Sequence, residues 1–391
     1  MSPNPSLRPT GPGPRSSGSM CDGSLNHCPE GATLQHLSKY SRKGGAKTST
    51  SCCTSNLNPS TLIFAVFLLN FSAVWADESL TLSLPVGCEV GGNCFVQNYV
   101  DHDPSSSHRD FSCGARTYDG HDGTDFRLPS MTAMRAGVAV LAVADGKVTG
   151  VRDGEKDVSI RVIGKAAIAD RKCGNGVFLR HPHGWDTQYC HLASGSVSVS
   201  KGQHVKRGQV LGKVGLSGAT EFPHLHLTVR HNGNIVDPFS PKVQPGQCGS
   251  KQSLWDEAAA KVIAYRTRVL LNLGFADRIL SMDDVENGSL ENFAFTADSP
   301  ALVANVRMIG LEGGDAPLLV LRDPDGAILI QSDLKPLDRP KAQFLTQVGR
   351  KRPVKGWPQG RYEAEYSVIR EGESVFEERF AITFQPRLEN R

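Results

Sequence analysis

Pro223-His224-Leu225-His226-Leu227-Thr228-Val229 is the stretch around which the chain is organised. Its Leu, Thr and Val residues favour a strand. Side chains alternate faces along a strand, so His224 and His226 share a face, about 6–7 Å apart. One imidazole can hold a metal while the other handles a proton. Alone, such a pair is more often two surface histidines on a half-exposed strand. The remaining sequence has to decide.

A chain of 391 residues suggests two domains. With 40 Gly and 23 Pro it reads as turn-rich and mainly β. A net charge of +3, with no aromatic-basic interleaving, argues against a nucleic-acid partner. Residues 1–60 are rich in Ser, Pro, Gly and Asn, and read as a disordered extension. The apolar run at 62–69 and Val74-Trp75-Ala76 look like a secretory signal cut after Ala76. The run is too short to span a bilayer comfortably, so no stable membrane anchor is expected after cleavage. The long stretch before it suggests a translation start further downstream; the alternative is a short, unusual membrane anchor.

Export changes the reading of the ten cysteines. Cys21, Cys28, Cys52 and Cys53 precede the proposed cut. Cys88, Cys94, Cys113, Cys173, Cys190 and Cys248 follow it, and an even number in an exported chain points to disulfides. Six cysteines allow 15 pairings, and the sequence does not choose among them.

Residues 77–250 read as one domain, with β rhythm from Asp77 to about Pro245. The sequence predicts one hairpin over 138–149 and a second over 176–191, turning at His183-Gly184. A short turn recurs as Lys201-Gly202-Gln203 and Arg207-Gly208-Gln209. Residues 153–172 are charged and patternless, and read as a surface loop. His102, His108, His181, His183 and His204 have no partner pattern and read as surface residues.

Upstream lies Tyr118-Asp119-Gly120-His121-Asp122-Gly123-Thr124-Asp125. Gly120 and Gly123 argue against a helix, but a loop entering a strand can also bring His121 and Asp125 together. With one histidine of the HxH they make three ligands, leaving a fourth position for water as in catalytic zinc sites. An EF-hand fails on spacing. Ser198-Val199-Ser200-Lys201 matches SxxK without its companion motifs. Cys190 as a thiol nucleophile conflicts with oxidation on export.

The His121/Asp125 pair, Gly174-Asn175-Gly176-Val177, Tyr189-Cys190-His191-Leu192, the Gly-Gln-x-Leu-Gly run and Pro223-His224-Leu225-His226 occur in this order. Together, over roughly 114–238, they resemble the M23 family of zinc metallopeptidases, of lysostaphin and LytM type. The resemblance implies a small antiparallel β domain of the duplicated-hybrid-motif type with a metal in a groove. It implies that His121, Asp125 and His226 hold Zn2+, and that His191 and His224 are the non-ligand catalytic histidines. It also implies a zinc-activated water that hydrolyses peptide bonds of bacterial peptidoglycan. The insertion at 153–172 and the cysteine-rich segment before His121 depart from small family members, and put groove shape and specificity in doubt.

From Ser253 the composition shifts. Residues 251–286 read as a helical linker, with a short helix over 254–265. Residues 287–391 return to strands, as at 301–306, 317–321 and 360–366, and suggest an immunoglobulin-like β-sandwich. The expectation is therefore an exported, periplasmic or secreted zinc endopeptidase acting as a monomer on peptidoglycan peptides. The competing reading is a non-catalytic LytM-type regulator that activates another wall hydrolase; such regulators typically lack the ligands present here. A third is a wall-binding module built on the C-terminal sandwich.

Overall fold

The computed structural model describes residues 79–384, apart from 169, 245, 250 and 251. The signal-like segment, the extension before it and the four early cysteines lie outside the described residues. Among the described residues, no helix is long and apolar enough to cross a membrane.

The first part is built from β1 (Phe95–Val96), β2 (Thr124–Arg127), β3 (Ala139–Leu141), β4 (Gly146–Arg152), β5 (Asn175–Arg180), β6 (Trp185–Leu192), β7 (His204–Val205), β8 (Val210–Lys213), β9 (His224–His231) and β10 (Asn234–Ile235). The main sheet runs β1-β2-β9-β6-β5-β4-β7, with β10 on β9. Its pairings are antiparallel. The short helices α1 (Met131–Ala136) and α2 (Ile160–Ile163) follow β2 and β4. Along β9, Leu225, Leu227 and Val229 enter the core beside Phe126, Val177, Leu179 and Tyr189. The alternation that buries them turns His224 and His226 to the opposite face.

The 176–191 hairpin forms as expected, from β5 and β6. The 138–149 hairpin does not. β3 pairs with β8 in a separate two-stranded sheet, whereas β4 pairs with β5 and β7. The repeated Gly-Gln turn supplies the reason, because it offers two equivalent docking edges. The first copy binds β4, with Gly202 N donating to Val148 O and Val148 N to Gln203 O. The second binds the end of β3, with Gly208 N donating to Ala142 O and Ala142 N to Gln209 O.

Disulfides join Cys88 to Cys94, Cys113 to Cys248 and Cys173 to Cys190. Two of the histidines read as surface residues are buried. His102 Nε2 pairs with Asp237 at 2.8 Å, and His181 lies between the Asp145 carbonyl and the Thr187 hydroxyl. Their partners are distant in sequence or on a neighbouring strand, so no local motif announces them.

The expected helix over 254–265 is shorter, α3 (Glu257–Val262), started by the Asp256 side chain accepting from Ala259 N. Leu254, Trp255, Ala259 and Ile263 join the core of the first part. The stretch read as a helical linker also contains a strand, β11 (Val269–Ala276), before α4 (Met282–Glu286). β12 (Ala301–Leu311), β13 (Ala316–Arg322), β14 (Ile328–Gln331), β15 (Lys341–Lys351), β16 (Arg361–Arg370) and β17 (Glu373–Thr383) follow. They form sheets β11-β12-β15 and β14-β13-β16-β17, packed as an immunoglobulin-like sandwich over Phe295, Leu302, Leu319, Tyr362 and Tyr366.

The sandwich is anchored to the site-bearing strand through buried charge. Arg127 of β2 and Arg307 of β12, both fully buried, share the carboxylate of Glu286. Arg307 also donates to the Pro129 carbonyl at 2.6 Å, and Asn272 to the same oxygen at 2.9 Å. Removing one partner of a buried charge cluster leaves the others uncompensated, at a cost of about 3–5 kcal/mol. Glu286→Ala is therefore expected to lower unfolding free energy by about that amount, read by denaturant titration. A loss under about 1 kcal/mol, the range of surface pairs, would show that the cluster does not anchor the two parts.

Candidate metal centre

β2 and β9 run antiparallel with Asp125 opposite His226 and Arg127 opposite His224. This register places the Asp125 carboxylate beside both histidines of the HxH. His121, in the turn before β2, reaches the same point. Asp125 Oδ1 lies 2.9 Å from His226 Nδ1 and 3.2 Å from His121 Nε2, and these two nitrogens are 3.2 Å apart. All three residues are buried. Among the described residues, they are the group of ligand-type side chains close enough to share an ion.

The protons decide what that cluster can do. His121 Nδ1 contacts the Tyr99 carbonyl at 2.7 Å. A carbonyl only accepts, so Nδ1 carries the hydrogen and Nε2 faces Asp125 as a lone pair. His226 Nε2 is taken up by Asp122 at 3.1 Å and by Thr228 Oγ1 at 3.0 Å, leaving Nδ1 for the cluster. Two nitrogens and one carboxylate oxygen thus converge, and they repel unless a proton or cation sits between them. Burial lowers the His226 pKa, but the Asp122 and Asp125 hydrogen bonds outweigh it and lift it to about 9. Burial would raise the Asp125 carboxyl, yet His121, His224 and the histidine hydrogen bonds hold it well below the usual carboxylate range. A stable carboxylate with two imidazoles in a buried pocket fits the donor set of a zinc ion. Outer partners such as Tyr99 and Asp122 fix the ligand rings as metal sites require.

His191 and His224 sit beside this cluster, with ring centroids 4.7 Å apart and His191 6.0 Å from the His226 ring. Strand alternation by itself would place His191 on the core face, because its neighbour Cys190 pairs with His226. A bulge corrects this. Val177 pairs with Tyr189 and Asn175 with Leu192, so Cys190 and His191 together oppose Gly176. His191 adopts φ +64°, a conformation costing a non-glycine residue about 1–3 kcal/mol. Bulges of this kind re-aim a side chain beside a site. His191 Nδ1–H donates to the Ser217 carbonyl at 2.8 Å, and His224 Nδ1–H to the Phe222 carbonyl at 2.9 Å. Both Nε2 atoms are therefore bare. Burial, then the neighbouring His224 and His226, holds the His191 pKa well below the ordinary histidine value. Burial likewise lowers His224, against the pull of Asp125.

All five residues singled out in the sequence therefore meet in one place. Sequence reasoning missed Asp122, Tyr99, Ser217 and Thr220. Asp122 had a signal, as an acid beside His121; the others act through carbonyls or a hydroxyl and leave no motif. A cavity of about 830 Å³ lies elsewhere, lined by Phe95, Tyr99, Arg116 and Leu271, and none of the five residues lines it.

The antiparallel β domain thus carries a buried His/Asp/His cluster able to hold a metal ion, flanked by two further histidines. Within it, residues 119–238 match the model of peptidase family M23. The chain is 34% identical over 122 residues to the DD-carboxypeptidase/endopeptidase Mpg of Neisseria meningitidis serogroup B, covering 31% of this chain and 22% of that protein. It is 35% identical over 117 residues to the peptidoglycan DD-endopeptidase ShyB of Vibrio cholerae serotype O1, covering 30% and 22%. A zinc-containing peptidase from Vibrio cholerae, known as a crystal structure, is 29% identical with a TM-score of 0.24, covering 36% of this chain and 38% of that one. The matched region spans less than a quarter of the two curated relatives.

Proposed function

We propose that the chain is an exported zinc metalloendopeptidase that hydrolyses peptide bonds of bacterial peptidoglycan. His121, Asp125 and His226 hold the zinc; His191 and His224 handle protons and charge. The observation that carries this reading is the convergence of two imidazole nitrogens and a carboxylate oxygen at one buried point, beside two neutral histidines. Bound there, zinc would supply Lewis acidity and a water acidic enough to ionise near neutral pH.

The chain's own residues supply the rest. His224, neutral and with Nε2 bare 3.5 Å from Asp125 Oδ1, can take the proton of an attacking water and pass it to the leaving amine. His191, with its ring 4.7 Å from that of His224, can orient that water or stabilise the developing oxyanion. The two roles could be exchanged. Peptidoglycan enters through the relatives' activities, and three disulfides support an oxidising compartment outside the cytoplasm. A monomer with no stable membrane anchor after signal cleavage completes the proposal.

Digestion of cross-linked peptidoglycan by the purified, zinc-loaded protein tests it, with mass spectrometry of the products. New free amino groups and shortened cross-links are expected, abolished by a chelator. A protein inert on several peptidoglycan types that still stimulates another hydrolase would instead establish the regulator.

A further inference from the structure

The loop between β8 and β9 holds the outer nitrogens of both non-ligand histidines. Its Ser217 carbonyl accepts from His191 Nδ1, and its Phe222 carbonyl from His224 Nδ1. Thr220 Oγ1 donates to the Phe222 carbonyl at 2.7 Å, so at 3.0 Å from His224 Nδ1 it acts as a second acceptor. These contacts keep the ring protons on Nδ1 and the Nε2 lone pairs bare.

That loop is clasped by the 153–172 insertion. Leu216 N donates to Asp157 Oδ1 at 2.7 Å, and Ala219 N to the Lys172 carbonyl at 2.7 Å. Ile160 N, at the start of α2, donates to the Thr220 carbonyl at 2.9 Å, and Ser159 Oγ to the Glu221 carbonyl at 3.3 Å. Asp157 Oδ2 accepts from Ser194 N at 2.9 Å, and Asp153 from Gly195 N at 2.8 Å and Val197 N at 3.2 Å. Immediately after the insertion, the Cys173 carbonyl accepts from His191 N at 2.8 Å. Gly174 and Gly218 let the two backbones touch: a Cβ on Gly174 would collide with the Ser217 carbonyl, and one on Gly218 with the Lys172 carbonyl. A solvated loop would spend its carboxylates on water. Here two of them satisfy backbone N–H groups on either side of the histidine pair.

We propose that the 153–172 insertion, through the loop it clasps, is the positioning element of the histidine pair, with Asp157 on the insertion and Thr220 on the loop as positioning residues. Its kinetic consequence rests on the peptidase reading; its geometry does not. Losing the clasp frees the 215–222 loop, the Nδ1 acceptors drift, and each imidazole samples the tautomer whose Nε2 carries the proton. A ring in that tautomer cannot accept a proton toward the site. Substrate contacts are untouched, so kcat falls and KM holds.

The test uses the full chain with ¹⁵N-labelled histidine rings, zinc-loaded and chelator-treated, as wild type, Asp157→Ala, Thr220→Val and Thr220→Ser. In wild type, the ring nitrogens of His191 and His224 are expected to report the Nδ1–H form. Asp157→Ala should shift both toward a mixture and lower kcat about 10- to 100-fold, the usual effect of removing an outer-shell partner. Thr220→Val should disturb His224 alone, and Thr220→Ser should restore it. Wild-type ring signals in Asp157→Ala, with kcat within about twofold of wild type, would overturn the proposal. Should Asp157→Ala fail to fold, the Thr220 pair decides: a wild-type His224 signal in the valine variant, or no rescue by serine, overturns it equally. An inert wild type whose ring signals respond as expected would refute the peptidase and leave the positioning role standing.

Discussion

Asp125→Ala and His226→Ala each yield a protein that no longer holds zinc, while the wild type binds one ion per chain; that is the expected result of equilibrium dialysis with metal analysis. Three donors converge, and each replacement leaves two, fewer than a zinc site needs. The stability readout follows by linkage. At a free zinc concentration about a thousandfold above Kd, binding adds about 4 kcal/mol to wild-type unfolding. The variants lose that gain, so a chelator lowers Tm in wild type and leaves theirs unchanged. The pH dependence has a fixed sign. His226 holds its extra proton up to about pH 9 in the metal-free site, and zinc must displace it. Apparent affinity therefore drops as pH falls below about 9, by about tenfold per unit for one displaced proton. Stoichiometric zinc in both variants would sink the ligand assignment.

The proposed ligands are legible because they lie in short motifs whose geometry is local. An HxH on a strand shares a face whatever the fold, and an HxxxD entering the next strand needs only the β2–β9 register to meet it. The apolar alternation of β9 and the strand rhythm of the C-terminal part were legible for the same reason. His191 was found only through its motif. No rule of alternation predicts its face, which depends on a bulge opposite Gly176 and a left-handed backbone. The missing 138–149 hairpin shows the reverse failure. A turn signal at Asp145-Gly146 says that the chain turns, not that the two arms pair, and the repeated Gly-Gln turn captured each arm separately. The insertion looked patternless because its carboxylates bond to backbone N–H groups, which impose no side-chain period. The Arg127–Glu286–Arg307 cluster joins residues far apart in sequence, and only packing reveals it.

His191→Ala and His224→Ala are expected to keep one zinc per chain and a wild-type unfolding profile while losing about 10²–10⁴ in kcat, the usual cost of a general acid or base. Zinc survives because neither ring belongs to the three-donor cluster. Turnover does not, because each ring presents a bare Nε2 and burial keeps both neutral. A depressed histidine pKa means the base stays unprotonated to lower pH. The acid limb of kcat/KM is therefore expected below the ordinary histidine value of about 6.5, and its loss in one variant names the residue that titrates there. The rings lie 4.7 Å apart, close enough to act as a unit. The double variant should then cost little more than the worse single one, since groups on one proton path are not additive. Fully additive losses would mean two independent roles, one at the water and one at the oxyanion. Folded, zinc-loaded single variants as active as wild type would remove both histidines from the mechanism.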